Sequence, residues 1–340
     1  MKLFRKILFW LYLTVATVAL VLVIIYLVNS YGKFSKEVKF EATENSFSNH
    51  FLSFNKSDSS FSSLFSVPPN IAVDFLNRSE SRLKMPHFKS QAIQISRDEI
   101  QKLDQLVKYW PQKFQNISKF NLLAIYIVDS ARFNGLTQII KPTDDKFIIF
   151  LNARLFHTTP NDWITYETTK CLKNEFRYKV KCSLFSEDQN IPIRTVEHVL
   201  LHEYAHIFSF ISREAPLPDD WFSSKSGYFP LIETCFDGGY ISYESKKEGL
   251  EKLELLSQNK HSDIEKLTLE EFKELNKRLV NSPFPTAYST RNGSELVAEL
   301  FTLYIHQMYF KQLFSMTVDD GNPFIFAQKI DTSYIGKLLE

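Results

Sequence analysis

Cysteine is scarce in this chain: there are three among 340 residues, Cys171, Cys182 and Cys235. None forms a CxxC pair, which excludes a structural zinc knuckle. A Cys171–Cys182 bridge in an oxidising compartment and three reduced thiols both remain open. A surplus of charge of one sign is also missing. The formal net charge is +1, so nothing electrostatic argues for nucleic acid as a partner. No internal repeat is present, which excludes a solenoid or propeller. What remains is a chain that is 44% hydrophobic and 23% charged, able to bury a core. Its length suits one substantial domain with additions. Aromatic content is 15%, with 31 Phe, enough to furnish a core and to line a peptide groove.

Residues 7–28 read ILFWLYLTVATVALVLVIIYLV, with no charge. About 22 residues at roughly 1.5 Å rise cover the hydrocarbon core of a bilayer. Trp10, Tyr12, Tyr26 and Tyr31 stand near the ends, where aromatic rings favour the interface. A cleaved signal peptide has a shorter apolar core and small residues after it; here LVNSYGKF follows. The expectation is an uncleaved anchor. Lys2, Arg5 and Lys6 on one side balance Lys33, Lys36 and Lys39 on the other. The free α-amino group tips the balance toward a cytoplasmic N-terminus, with the large domain on the non-cytoplasmic side. The expected organisation is a short cytoplasmic stretch over 1–6, a transmembrane helix over 7–28, a Ser/Asn/Phe-rich tether over 29–90 and a folded domain over 91–340. The tether's phenylalanines are expected to dock on the domain or on the membrane surface.

Within the domain, SRDEIQKLDQLVKYWPQKF has helical spacing of Ile100, Leu103, Leu106 and Val107, with Ser96 or Asp98 as the cap. NLLAIYIVDS and DDKFIIFLNARLF read as buried strands, and Asn134-Gly135 marks a turn. A long helix is predicted over 193–211, charged helices within 244–280, and another helix over 293–310. This order indicates an α+β domain.

The long helix carries His202-Glu203-Tyr204-Ala205-His206. Residues i and i+4 share a helix face about 6 Å apart, so two imidazoles can bind one zinc ion. Glu203 is rotated about 100° from His202. It misses the metal but reaches water beside it, where a carboxylate serves as base. His198 lies a further turn upstream. Three ligands on one straight helix would span about 12 Å, so His198 is read as a surface histidine or one that braces a ligand. A third ligand is still needed. The metzincin position after His206 is Ser212, so the ligand must come from elsewhere. TAYSTRNGSELVAELFTLY offers Glu295 and Glu299 one helical turn apart.

The pairing of HEYAH with AYSTRNGSELVAELF resembles the catalytic domain of the anthrax lethal factor family of gluzincin peptidases. That pattern places a Tyr seven positions before a Glu, followed by an Ala-Glu pair: here Tyr288, Glu295, Ala298 and Glu299. The charged segment within 244–280 makes the gap from His206 to Glu295 longer than the family's pattern. The resemblance implies a zincin-like metallopeptidase fold, a mixed sheet packed on the active-site helices. It implies that Glu295 is the third zinc ligand and that Tyr288 donates to the oxyanion. It places Glu299 where it holds a ligand imidazole by its other ring nitrogen. The expected activity is hydrolysis of a polypeptide substrate by zinc-activated water, with Glu203 as general base. An upstream edge strand within 147–155 is expected to align the peptide. A zinc-binding sensor built like a peptidase, or a zinc hydrolase acting on another bond, is the alternative. A structural membrane protein with an accidental motif is a third reading.

Overall fold

A computed structural model describes residues 60–65, 69, 70, 72–74, 76, 77, 90–129, 133–140, 143, 145–213, 236, 237, 240, 241, 266–319, 321, 323–325 and 332–339. Among them no helix is long and apolar enough to cross a membrane. The expected fold, a catalytic domain behind a transmembrane helix, is therefore corrected to an α+β domain with a mixed sheet. The 20-residue HEYAH helix has the length to span, but Arg194, Glu197, Glu203 and three histidines break its apolar run. The segment 7–28 that prompted the expectation lies outside the described residues, as does Cys235.

The main sheet has four strands in the order β1 (Gln91–Ala92), β2 (Leu122–Asp129), β4 (Phe147–Asn152), β3 (Gly135–Ile139). β2 and β4 are parallel; β1 and β3 run antiparallel to their neighbours. Every residue of β4 is buried, because both faces of the sheet are covered. Phe147, Ile149 and Leu151 belong to the large core against the helices. Ile148 and Phe150 join a second cluster with Ala72 and Leu76. That explains why FIIFLN is apolar without alternation. It also corrects the edge assignment. β4 is internal, and the edge strand beside the long helix is β3, in register Gly135–Leu151 and Thr137–Ile149. β3 starts at the Gly135 that the sequence marks as a turn.

The first helical segment is two helices: α1 (Arg97–Val107) and α2 (Gln112–Phe120). Ser96 caps α1 in a reciprocal box with Glu99. Pro111 stands at the N-cap of α2. Its ring and missing N–H end one helix and suit the start of the next. After α3 (Pro160–Thr169) and β5 (Val180–Ser183) comes α4 (Pro192–Ile211), the HEYAH helix, with Pro192 in its first turn. A short hairpin, β6 (Phe236–Asp237) with β7 (Tyr240–Ile241), follows. Of the predicted charged helices, α5 (Leu269–Val280) is described, capped by Thr268 and Glu271; 242–265 lie outside the described residues. α6 (Gly293–Met308) carries the second motif. β8 (Ser315–Val318), β9 (Phe324–Ile325) and α7 (Thr332–Leu339) complete the order. β8 lies between β5 and β9 in a small antiparallel sheet.

The core is wedged between sheet and helices. Tyr204 is fully buried among Trp110 and Phe114, and Phe301 of α6 packs on Phe208 of α4. The Tyr204 hydroxyl is satisfied by Ser118 at 2.7 Å. Glu197 is buried where Trp110 Nε1 donates to it at 3.2 Å and Arg194 Nη1 at 2.6 Å. Burial raises its pKa, against the nearby Arg194 charge. Phe61 and Leu64, in a turn within the expected tether, are buried in the same core, so the docking expected for that segment occurs on the domain. Cys171 and Cys182 are free, buried thiols, each pushed up to about 12 by desolvation.

Candidate metal centre

α4 and α6 pack antiparallel, as their contacts record. His206 meets Ser294, His202 meets Glu295 and Glu299, and His198 meets His306. The three histidines, one turn apart on α4, thus each find a polar partner on α6. Asn292 starts α6: its Oδ1 accepts the Glu295 backbone N–H at 2.8 Å. This cap puts Glu295 in the first turn, where the free N–H groups favour a carboxylate.

Glu295 Oε2 lies 3.0 Å from His202 Nε2 and 3.3 Å from His206 Nε2. One donor atom from each of the three residues falls within 4.8 Å of the others. A tetrahedral zinc or similar ion with bonds of about 2.0–2.1 Å separates its ligand atoms by roughly 3.3–3.4 Å, so the donor set fits a metal ion. The far sides of the rings are held as well. His202 Nδ1 is 2.9 Å from Glu299 Oε1, and His206 Nδ1 is 2.9 Å from Ser294 Oγ. Thr286 Oγ1 donates to the other oxygen of Glu299 at 2.6 Å. With each Nδ1 occupied, each Nε2 is aimed at the shared point. His202 has a carboxylate on both nitrogens. Without a metal, donating to both requires a proton on each nitrogen. Burial opposes that charge, but the bonds to Glu295 and Glu299 outweigh it and raise its pKa. Burial likewise disfavours the Glu295 anion, yet His206 and His202 hold its pKa well below the usual range. A cation between these groups answers the same demand. The structure therefore brings the three expected ligands together around a position able to hold a metal ion.

Glu203 stands beside this cradle and is not a member of it. Thr137 Oγ1 on β3 donates to its Oε2 at 2.6 Å. A Cβ at Gly135 would lie 2.3 Å from Glu203 Oε1 and 2.7 Å from its Cδ. The carboxylate therefore occupies the space a side chain would need. Burial raises the Glu203 pKa, with His206 and His202 pulling it down. Tyr288 donates its hydroxyl to Glu295 Oε1 at 3.2 Å and receives Arg291 Nη1 at 3.0 Å. Burial and the Glu295 charge drive the Tyr288 pKa up.

Searches of protein-family models, curated proteins and solved structures each find no match to this chain.

His202, Glu203, His206, Tyr288, Glu295 and Glu299 all converge here. His198 is buried and does not reach the cradle. Its Nδ1 is 3.0 Å from His306 Nε2, and His306 Nδ1 is 3.1 Å from Gln312 Oε1, whose amide nitrogen donates to Gln189. Sequence reasoning missed Gly135, Thr137, Thr286, Ser294, Arg291 and His306. Asn292 with Glu three positions on is a cap signal that could have been read. Thr137 had no signal, because GLTQI lacks the apolar alternation of a strand.

The cradle should hold about one metal ion per chain, measured by elemental analysis after dialysis. His202→Ala, His206→Ala and Glu295→Ala should each lose it, while Glu203→Gln should keep it. Glu299→Ala should weaken affinity roughly 10–100-fold. A full site in Glu295→Ala beside an empty one in Glu299→Ala would reverse the assignment.

Acid should destabilise the domain through the buried pair. Burial pushes His198 down to about 4, against the Glu299 charge and assisted by His202. Burial also lowers His306, with His198 and Arg194 adding to it. The unfolded chain takes protons near pH 6.5 that the folded chain refuses. Stability is thus full above about 6.5 and falls as pH drops toward about 4, by up to about 3 kcal/mol for His198. Urea midpoints against pH should fall less steeply in His198→Gln than in the wild type; parallel slopes would remove His198 from the acid response.

Proposed function

We propose that this protein is a zinc-dependent metallopeptidase. The observation that carries the reading is the three-donor cradle of His202, His206 and Glu295 with a separate, anchored carboxylate, Glu203, beside it. Two imidazoles and one carboxylate suit zinc and leave a position open for chemistry. A site meant only to hold a metal has no use for a further acid aimed past the ligands. The residue order and spacing of the lethal factor resemblance support the same assignment.

His202, His206 and Glu295 would hold a zinc ion, which would supply Lewis acidity and lower the pKa of water toward neutral. Glu203 takes a proton from the attacking water at its carboxylate and hands it to the leaving amine. Its Oε2 is fixed by Thr137, and its burial raises the pKa, so it binds a proton more readily than an exposed carboxylate. Tyr288 donates its hydroxyl hydrogen to the substrate carbonyl oxygen as that oxygen gains charge. A preorganised donor of this kind contributes about 3–4 kcal/mol in the transition state. The polypeptide is aligned by β3. Among the described residues β3 pairs only with β4, so its other edge can accept an extended chain through main-chain hydrogen bonds. Thr137 lies on that strand and also holds Glu203, so a peptide paired with β3 would lie beside the base.

Cleavage of a peptide library, read by mass spectrometry, tests the activity. Glu203→Gln should keep its metal and lose cleavage. Gly135→Ala should do the same, because the added methyl evicts the Glu203 carboxylate and touches no ligand. A Gly135→Ala enzyme as active as the wild type would show that Glu203 works from some other position.

Tyr288→Phe removes one hydroxyl and little volume. It should lower kcat by on the order of 10²-fold with metal content unchanged. Equal kcat on the same peptide would take Tyr288 out of the mechanism.

A further inference from the structure

We infer that Arg291 is a positioning residue that aims the Tyr288 hydroxyl hydrogen into the metal cleft. The inference rests on the peptidase reading for its kinetic consequence and on the Tyr288 geometry for everything else.

The two side chains share one short 3-10 turn, Tyr288–Arg291. Residues three apart in such a turn eclipse one another, so the guanidinium falls over the phenol. Its carbon is 5.7 Å from the ring centroid, and Nη1 donates to the hydroxyl oxygen at 3.0 Å. The backbone beneath is fastened. Ser289 Oγ donates to the Thr286 carbonyl at 2.6 Å, and Thr290 Oγ1 to the Ala287 carbonyl at 2.8 Å. Asn292, the next residue, is extended and caps α6. The turn that carries Arg291 and Tyr288 is thus joined to the helix that carries Glu295.

Hydrogen-bond chemistry then fixes a direction. Arginine has five N–H donors and no acceptor. The Tyr288 oxygen must therefore accept from Arg291, and its single O–H must point elsewhere. The partner found on that other side is Glu295 Oε1, at 3.2 Å. A phenol that accepts a charge-assisted bond is also a stronger donor through its own O–H. Without Arg291 the ring loses its stacked cation, and the hydroxyl can rotate outward to accept from water. Arg291 is exposed while Tyr288 is half-buried, so the positioning group covers the phenol from the solvent side and leaves the metal side open.

The test uses the zinc-loaded full chain. Arg291→Met keeps the stem and removes the donors; Arg291→Lys restores a charge and one donor without the planar fork. Arg291→Met should lower kcat about 10-fold with KM within about twofold, and Lys should recover part of the loss. In a Tyr288→Phe background the same Arg291→Met change should cost less than about twofold more, because two residues acting through one bond are not additive. An unchanged kcat with a raised KM overturns the inference, since Arg291 would then grip an acidic group of the substrate. A loss in the Phe background as large as in the wild type overturns it too. A crystal structure of Arg291→Met decides the matter without any assay. The Tyr288 hydroxyl should leave hydrogen-bonding reach of Glu295 Oε1. A hydroxyl that stays in place sinks the inference, and this outcome is separate from a wild-type chain that cleaves no peptide, which sinks the peptidase reading alone.

Discussion

The contact on which the rest depends is one carboxylate oxygen, Glu295 Oε2, set between the Nε2 atoms of His202 and His206. It joins two buried helices whose facing surfaces carry a row of polar side chains. Groups of this polarity are expensive to bury unless each finds a partner. The antiparallel arrangement of α4 and α6 meets that demand along the interface, with His206 on Ser294, His202 on Glu295 and Glu299, and His198 on His306. The result is a polar seam through the core with the metal position near the capped start of α6.

Everything around the seam constrains direction more than it adds stability. Ser294 and Glu299 hold the outer ring nitrogens, and Thr286 holds Glu299. Arg291 holds Tyr288 from outside. On the opposite wall, β3 contributes a threonine that bonds Glu203 and a glycine that makes room for it. The sheet is therefore part of the site. β4 supplies the doubly covered backing, and β3, hydrogen-bonded to it, carries the contacts to Glu203 and among the described residues pairs only with β4.

Much of this was legible in the residues. The spacing of HEYAH marked His202, Glu203 and His206, and the lethal factor resemblance chose Glu295 over Glu299 as the residue that meets the two histidines. The periodicities marked α4 and α6 and the buried strands β2 and β4. The helix break at Pro111 went unread because the apolar spacing before it runs on past it. The edge strand was misplaced because FIIFLN has the strong hydrophobic signal that belongs to an interior strand, while GLTQI, half exposed with one inward threonine, has almost none. The apolar run of 7–28 pointed to a membrane-crossing helix, whereas no helix among the described residues is long and apolar enough to cross a membrane.

By itself, the sequence determined which side chains share a helix face, since a turn of 3.6 residues brings i and i+4 together whatever surrounds them. It thereby determined that His202 and His206 on α4 can share a metal ion, and the offset of Glu203 from them. Only the tertiary structure decided which strand lies against Glu203, which groups hold the imidazoles from behind, and which cation covers Tyr288. The histidine braces and the strand contact join residues far apart in the chain and are set by how helices and sheet pack. The Arg291 contact is local, but its meaning depends on where Glu295 lies when α6 docks on α4. Periodicity within one element carries no record of the surface that element will meet, and that is why these partners had to be seen in the fold.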